Sequence, residues 1–126
     1  MNQQKAMNFS IRIEEAALTA VAIYFLTKYN LGLPVWSWIL FFFSPDLSII
    51  GYLVSPRTGA LTYNLFHHRA LPIILIAAGF LMHMDIFIAS GLLLVAHSSF
   101  DRMLGYGLKF PDDFKHTSLG WMGKDQ

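Results

Sequence analysis

The middle of this chain is a long run that carries almost no charge. Between Tyr29 and Met84 the only Asp, Glu, Lys or Arg residues are Asp46, Arg57 and Arg69. Of the 126 residues, 55% are hydrophobic and 13% are charged, whereas a soluble domain carries about 25% charged residues. Because a helix of about 20 apolar residues crosses the ~30 Å hydrocarbon core of a bilayer, the chain is predicted to be an integral membrane protein.

Charge and cysteine content exclude several functions. The formal net charge is +1, so electrostatics offers no basis for binding nucleic acid, and no nucleic-acid partner is expected. The chain has no cysteine, which excludes disulfides, thiolate metal ligands and a cysteine nucleophile.

Helix-breaking residues divide the chain into four predicted transmembrane helices, which form one all-α domain over residues 1–126. Their expected bounds are about 11–29, 35–54, 56–82 and 85–104, followed by a polar tail at 105–126. Ser10 is the expected N-cap of the first helix, and Ser55-Pro56 predicts the start of the third. Pro72 is expected to kink the third helix, and Gly105 to end the fourth.

The segment from Pro72 to His97 has a second interpretation. It can be one long span, which would make three transmembrane helices instead of four. That arrangement would put His83 and Asp85 near the centre of the bilayer, where polar groups are costly. A hairpin at residues 82–85 is therefore preferred, with Asp85 capping the fourth helix.

Basic residues predict how the helices are oriented. With four spans, seven Lys and Arg residues fall on one side and Lys28 alone on the other; the seven are Lys5, Arg12, Arg57, Arg102, Lys109, Lys115 and Lys124. Cytoplasmic loops are enriched in Lys and Arg. A multi-pass protein with both termini in the cytoplasm is therefore expected.

Four ionisable side chains stand inside the predicted spans at one depth. Asp46, His67, His97 and Asp101 come from three helices, and each is predicted to lie roughly 5–16 Å from the cytoplasmic edge. Groups of this kind in a membrane are usually paired, line a cavity or perform chemistry. His97 and Asp101 are four residues apart and share a helix face.

Two imidazoles and two carboxylates form a ligand set that zinc, manganese or iron accepts. A divalent metal at these four residues would acidify a bound water for hydrolysis. Beside it, Asn64 is a candidate to orient a histidine, Arg102 or Arg69 to hold a substrate phosphate, and Glu14 to act as a base. The alternative is a structural polar network, in which Asp46 bonds backbone groups freed by Pro45 or pairs with an arginine.

Two functions follow from these alternatives. The first is metal-assisted hydrolysis of a lipid-like substrate at the cytoplasmic leaflet. The second is a non-enzymatic scaffold or a subunit of a larger membrane complex, held by its polar network. Membrane lipids are the expected partners in both, and a homo-oligomer is compatible with either. Passage of ions ranks last, because the outer halves of the second and fourth helices are apolar.

Several motifs resemble those of an uncharacterised family of small bacterial membrane proteins, domain of unknown function 4260. They are Pro45-Asp46-Leu47-Ser48, Tyr63-Asn64-Leu65 with His67, Phe100-Asp101-Arg102-Met103-Leu104-Gly105-Tyr106-Gly107, and Phe114-Lys115-His116-Thr117. The resemblance covers nearly the whole chain and implies a four-helix protein of a bacterial inner membrane. It supplies no activity. Ser118 stands where the family is expected to have a histidine.

A looser similarity is to membrane-bound metal-dependent hydrolases. Those proteins combine a proline–aspartate on one helix, a histidine–arginine on the next and a His-x-x-x-Asp further on. Pro45-Asp46, His68-Arg69 and His97 with Asp101 resemble this arrangement, whereas the second aspartate and the Thr-His-Ser element are absent or displaced. This similarity implies a metal-dependent hydrolase.

Overall fold

The computed structural model describes residues 2–122, so Lys124 and the end of the predicted tail lie outside the described residues. In this range the chain is a helical bundle with a short β-hairpin near its end. Its elements are α1 (Gln3–Lys28), α2 (Val35–Phe43), a 3₁₀ helix (Ser44–Leu53), α3 (Pro56–His67), α4 (Ala70–Met82), α5 (Asp85–Met103), β1 (His116–Thr117) and β2 (Gly120–Trp121). The all-α class predicted from the sequence is confirmed.

Within residues 2–122, three helical segments are long and apolar enough to cross a membrane: Val35–Leu53, Pro56–Met82 and Asp85–Met103. They coincide with the second, third and fourth predicted helices. Helix α1 also exists, but it begins at Gln3 rather than Ile11, and its N-cap is Asn2, whose side chain accepts from the Lys5 N–H. The predicted cap at Ser10 is therefore wrong.

Pro45 changes the helix type in the first apolar segment. An α-helix would need the residue-45 N–H to bond the Phe41 carbonyl, and proline has none. The Ser44 hydroxyl donates to that carbonyl instead, at 2.7 Å, and the chain continues as a 3₁₀ helix to Leu53. In a 3₁₀ helix the Phe42 carbonyl would accept from the N–H of residue 45, which proline lacks. The Phe42 carbonyl is therefore free to accept from a side chain of another helix.

The third predicted helix is broken, at a different place from the one expected. Residue His68 is extended (φ −82°, ψ 137°) and separates α3 from α4. Its Nδ1 accepts from the Ala70 N–H at 3.1 Å. Pro72 lies in the first turn of α4, where an N–H has no helical partner. The predicted kink at Pro72 is therefore wrong, and the proline starts a helix.

The hairpin interpretation of residues 82–85 is confirmed. His83 adopts a left-handed conformation (φ 54°, ψ 43°) that ends α4, and α5 begins at Asp85. The residue in the cap position is Met84, so Asp85 is not the cap. A Cβ at Gly79 would collide with Ile88, and one at Gly91 with Ile76. Both glycines therefore permit close packing of α4 on α5.

The segment after α5 folds back onto the bundle. Gly105 has φ 98° and ends α5 in the predicted manner. Strands β1 and β2 pair antiparallel, with His116 opposite Trp121, and the two rings stack at 4.4 Å. The buried Asn8 side chain of α1 donates to the Leu119 carbonyl at 3.4 Å. This folded segment covers the ends of α1 and α3.

Candidate metal centre

Four side chains from three elements meet at one point, as the sequence predicted. They are Asp46 of the 3₁₀ helix, His67 at the end of α3, and His97 and Asp101 of α5. One ligand atom from each lies within 4.8 Å of all the others. His116, in the segment after α5, pairs with Asp112 at 2.8 Å.

Backbone carbonyls orient both imidazoles. His97 Nδ1 lies 2.6 Å from the Phe42 carbonyl, the one that Pro45 leaves open, and His67 Nδ1 lies 2.8 Å from the Tyr63 carbonyl. A carbonyl only accepts, so each Nδ1 carries the proton. Each ring therefore turns Nε2 toward the centre, and in the neutral form this atom offers a lone pair, which is how a histidine that binds metal is usually held.

With both protons on Nδ1, none of these four side chains donates a hydrogen bond to another across the centre. His67 Nε2 and His97 Nε2 are 3.0 Å apart. His97 Nε2 lies 3.1 Å from Asp46 Oδ1, and His67 Nε2 lies 3.1 Å from Asp101 Oδ2. Two neutral imidazoles and two carboxylates arranged like this repel one another. A cation, or an extra proton, has to lie among them.

The separations suit a small divalent ion. A tetrahedron with bonds of about 2.0 Å to nitrogen and oxygen has edges of about 3.3 Å. The remaining histidine–carboxylate distances are 3.4 Å (His97 Nε2 to Asp101 Oδ2) and 3.8 Å (His67 Nε2 to Asp46 Oδ1). The donor set of two nitrogens and two oxygens is one that zinc, manganese and iron accept.

The centre is closed on one side and open on the other. The side chains of His67 and His97 are 3% and 1% exposed, whereas that of Asp46 is 44% exposed. Asp101 is intermediate, at 15%. A ligand or substrate can therefore approach past Asp46, while the imidazoles stay shielded.

Tyr63 is a site residue that the sequence analysis missed. Its ring stacks on His67 with centroids 3.9 Å apart and planes within 7°, and its hydroxyl donates to Asp101 Oδ2 at 3.3 Å. It therefore positions one imidazole and one carboxylate together. The four-residue spacing of Tyr63 and His67 on one helix face was the available signal.

Asn64 does not contact a histidine. Its side-chain amide donates to the Lys109 carbonyl and accepts from the Lys109 N–H, both at 2.7 Å. The expected orienting function belongs to the Tyr63 carbonyl instead. Asn64 attaches the segment after α5 to α3, beside the centre.

Lys109 has an unusual environment for a cation. It is 5% exposed, and its Nζ lies 4.0 Å from the centre of the Phe114 ring and 4.9 Å from that of Tyr63. The ammonium also lies 3.2 Å from Met122 Sδ. Burial lowers the pKa of Lys109 to about 8, although the negative charge of Asp101 opposes the shift.

The predicted base is not at the centre. Glu14 is exposed on α1, and the buried neighbour Glu15 pairs with Arg69 Nη2. Arg102 lies closer to the ligands, since its Nη2 donates to the His67 carbonyl at 3.3 Å. Glu14 is therefore not one of the four residues that meet at the centre, whereas Arg102 lies beside them.

Comparisons with known proteins identify a family without adding a function. No curated protein and no solved structure matches the chain. The family described as "Domain of unknown function (DUF4260)" matches residues 8–122, which include all four residues of the centre and the segment after α5. The chain belongs to this uncharacterised family.

Proposed function

We propose that this protein is a membrane-embedded, metal-dependent hydrolase that acts on a lipid-like substrate. The observation that carries the proposal is the acceptor-rich centre formed by Asp46, His67, His97 and Asp101. Carboxylates and lone-pair nitrogens converge there at 3.0–3.8 Å, and both imidazoles are held by backbone carbonyls. These features are the requirements of a divalent metal site.

A metal held by these residues supplies a Lewis acid and an acidified water. Asp46 occupies the exposed side, where a coordination position can exchange. Tyr63 keeps His67 and Asp101 in place, and Arg102 is the nearest candidate to hold a phosphate or carboxylate of the substrate. Glu14 would not be needed as a base, because a divalent metal held by these residues would itself acidify water.

We place the protein in a bacterial inner membrane with both termini in the cytoplasm. The basic residues near the helix ends support this orientation. The centre then lies just beneath the cytoplasmic surface, close to the level at which lipid headgroups meet acyl chains. An ester or phosphoester at that junction is the substrate bond that the site can reach.

Metal analysis of protein purified in detergent tests the proposal. The wild type is expected to contain close to one zinc, manganese or iron per chain, and the variants His97→Ala and Asp101→Ala none. His83→Ala is the matched control, because that histidine is exposed in the α4–α5 turn. Absence of these metals from wild-type protein, after supplementation with each, would overturn the proposal.

A structural network is the second candidate function. It is favoured by the bonds that tie α5 to the 3₁₀ helix and α3, through His97 to Phe42 and Asp101 to Tyr63. In that case the protein is a scaffold or a subunit of a larger complex, and shared protons hold the centre. Asp46→Asn would then lower the thermal stability and leave the metal content at zero.

A further inference from the structure

A cavity of about 370 Å³ lies among the elements that form the centre. It lies between the 3₁₀ helix, α3 and α5, and its walls are formed by Ser44, Pro45, Leu47, Ser48, Phe66 and Leu94. Every element that supplies a ligand to the centre thus also supplies a wall residue.

The wall residues neighbour the ligands in sequence. Pro45 and Leu47 flank Asp46, Phe66 precedes His67, and Leu94 lies one helical turn before His97. Leu47 is 66% exposed and Phe66 is 41% exposed, so the cavity opens to the surroundings of a segment that is apolar enough to span a membrane. The cavity therefore opens toward the hydrocarbon of the bilayer, and its walls include the sequence neighbours of Asp46 and His67.

The residues that line the cavity favour a hydrocarbon chain over a polar group. Both serine hydroxyls give their hydrogens to backbone carbonyls in their own turn, Ser44 to Phe41 and Ser48 to Pro45, each at 2.7 Å. No lysine, arginine or histidine is among the lining residues. An anionic or strongly polar group would find no donor in the cavity, whereas an alkyl chain would lose no hydrogen bond there.

A larger groove, of about 480 Å³ between α1, α2 and α5, is less suited to the same purpose. The Phe42 ring lies between that groove and the centre, with its centroid 5.3 Å from that of His97. A chain bound in the groove would face the Phe42 ring and not the ligands. The smaller cavity has Pro45 and Leu47, the two sequence neighbours of Asp46, in its walls.

We infer that the cavity holds the hydrocarbon chain of the substrate, which enters sideways from the bilayer with its polar end at Asp46. The inference rests on the proposed function, and it defines the substrate class as a single-chain amphiphile, such as a fatty acyl ester, rather than a water-soluble ester. The chain lies against Leu47, Phe66 and Leu94.

Photocrosslinking tests this inference. The protein is reconstituted in vesicles of dioleoyl phosphatidylcholine and exposed to palmitic acid that carries a diazirine, and the labelled residues are mapped by mass spectrometry. Label is expected on Leu47, Phe66 and Leu94, and excess unlabelled palmitic acid should remove it. Label spread evenly over the apolar surface, or label that resists competition, would overturn the inference.

Two variants that narrow the cavity sharpen the test. Leu47→Trp and Ser48→Leu should each reduce the competable label about fivefold or more, because added side-chain volume displaces the chain. Leu53→Trp is the matched control, since Leu53 is an exposed leucine of the same 3₁₀ helix outside the cavity. Equal labelling of the three variants and the wild type would show that the chain binds elsewhere.

Metal content measured on the same samples separates the two proposals. If the protein contains no metal but its cavity is still labelled, the proposed hydrolase function is wrong and the binding site for the hydrocarbon chain is supported. If the protein contains metal but its cavity is not labelled, the metal centre is supported and the binding site for the chain is wrong.

Discussion

Two buried groups of charges in this bundle are built in opposite ways. Glu15 of α1 and Arg69 before α4 form an ion pair in which each charge has its counterion. The centre at His97 instead gathers two carboxylates and two imidazole lone pairs, and no Lys or Arg among the described residues lies within 4.0 Å of either carboxylate. Both groups hold helices together, but only one has its charge balanced by the protein.

This difference separates structure from function. A buried ion pair with both partners present needs nothing further, and it is costly to break because the remaining charge is left without its counterion. A cluster with more acceptors than donors is costly as it stands, and becomes favourable when a cation enters. The four predictions below test this contrast, in order of decreasing effect.

The largest effect is expected at the ligands. Loss of a group that only supports a metal ligand weakens metal affinity about 10- to 100-fold. His67→Ala removes a candidate ligand itself, so it should weaken zinc or manganese affinity by more than that. Isothermal titration of metal-stripped protein measures it. Glu15→Gln serves as the control for a buried charge outside the centre; if it weakened metal affinity equally, the two groups would not be independent.

The next effect concerns the ion pair. Glu15→Gln should destabilise the protein by about 2 kcal/mol, because it leaves the partly buried Arg69 guanidinium without its carboxylate. Its metal content should not change. Thermal unfolding in detergent measures the loss, and Glu14→Gln, one residue away and exposed, should change stability by less than about 0.5 kcal/mol. Equal losses in both variants would contradict the pairing.

The sign of a smaller effect distinguishes the two candidate functions. In metal-free protein, Asp46→Asn should raise stability by about 1 kcal/mol, because it removes one of two like charges and supplies an N–H donor to the lone pair of His97. The same variant should bind metal more weakly. Thermal unfolding with and without a chelator makes the comparison. A loss of stability in metal-free protein would favour the structural network.

The smallest effect tests whether Lys109 is the missing counterion. Burial lowers the pKa of Lys109 from 10.5 to about 8, so folding disfavours its charged form. This cost is full below pH 8 and disappears as the pH rises toward 10.5, which means that the wild type gains stability in that window. The free energy of unfolding should rise by about 1 kcal/mol. The rise is this small because the contacts of the ammonium with the two rings stabilise the charged form and offset part of the cost of burial.

Lys109→Met is the variant for this measurement. It should abolish the rise in stability between pH 8 and 10.5 and leave the metal content unchanged. Lys115→Met, at an exposed lysine of the same segment, should keep the rise. If Lys109→Met destabilised the protein strongly at pH 7, the lysine would be acting as the counterion, and the contrast with Glu15 and Arg69 would fail.

The candidate ligands could be predicted because the cost of burial restricts where charge can be placed. Asp46, His67, His97 and Asp101 stand in segments that hydrocarbon should surround, and helix rise alone assigns them a common depth. Glu14 and Glu15 could not be told apart in this way. They are adjacent, and only the packing of α1 against Arg69 determines which one is buried.

Helix breaks were predicted less well than helices, because breaks depend on how freed backbone groups are satisfied. Pro72 was expected to interrupt a helix, but the chain had already turned at His68, and the proline fell in a first turn where it costs nothing. The β-hairpin at 116–121 was not predicted, since its strands are only two residues long and carry no alternating pattern.

Composition and distance along a helix were enough to predict a helical chain with segments apolar enough to cross a membrane, and to identify four side chains costly enough in hydrocarbon to require partners. Both are local properties. The folded structure was needed to show that the four side chains point at one another with both Nε2 atoms inward. That outcome depends on a carbonyl that Pro45 frees in one helix and His97 uses from another, and no local pattern encodes such a contact.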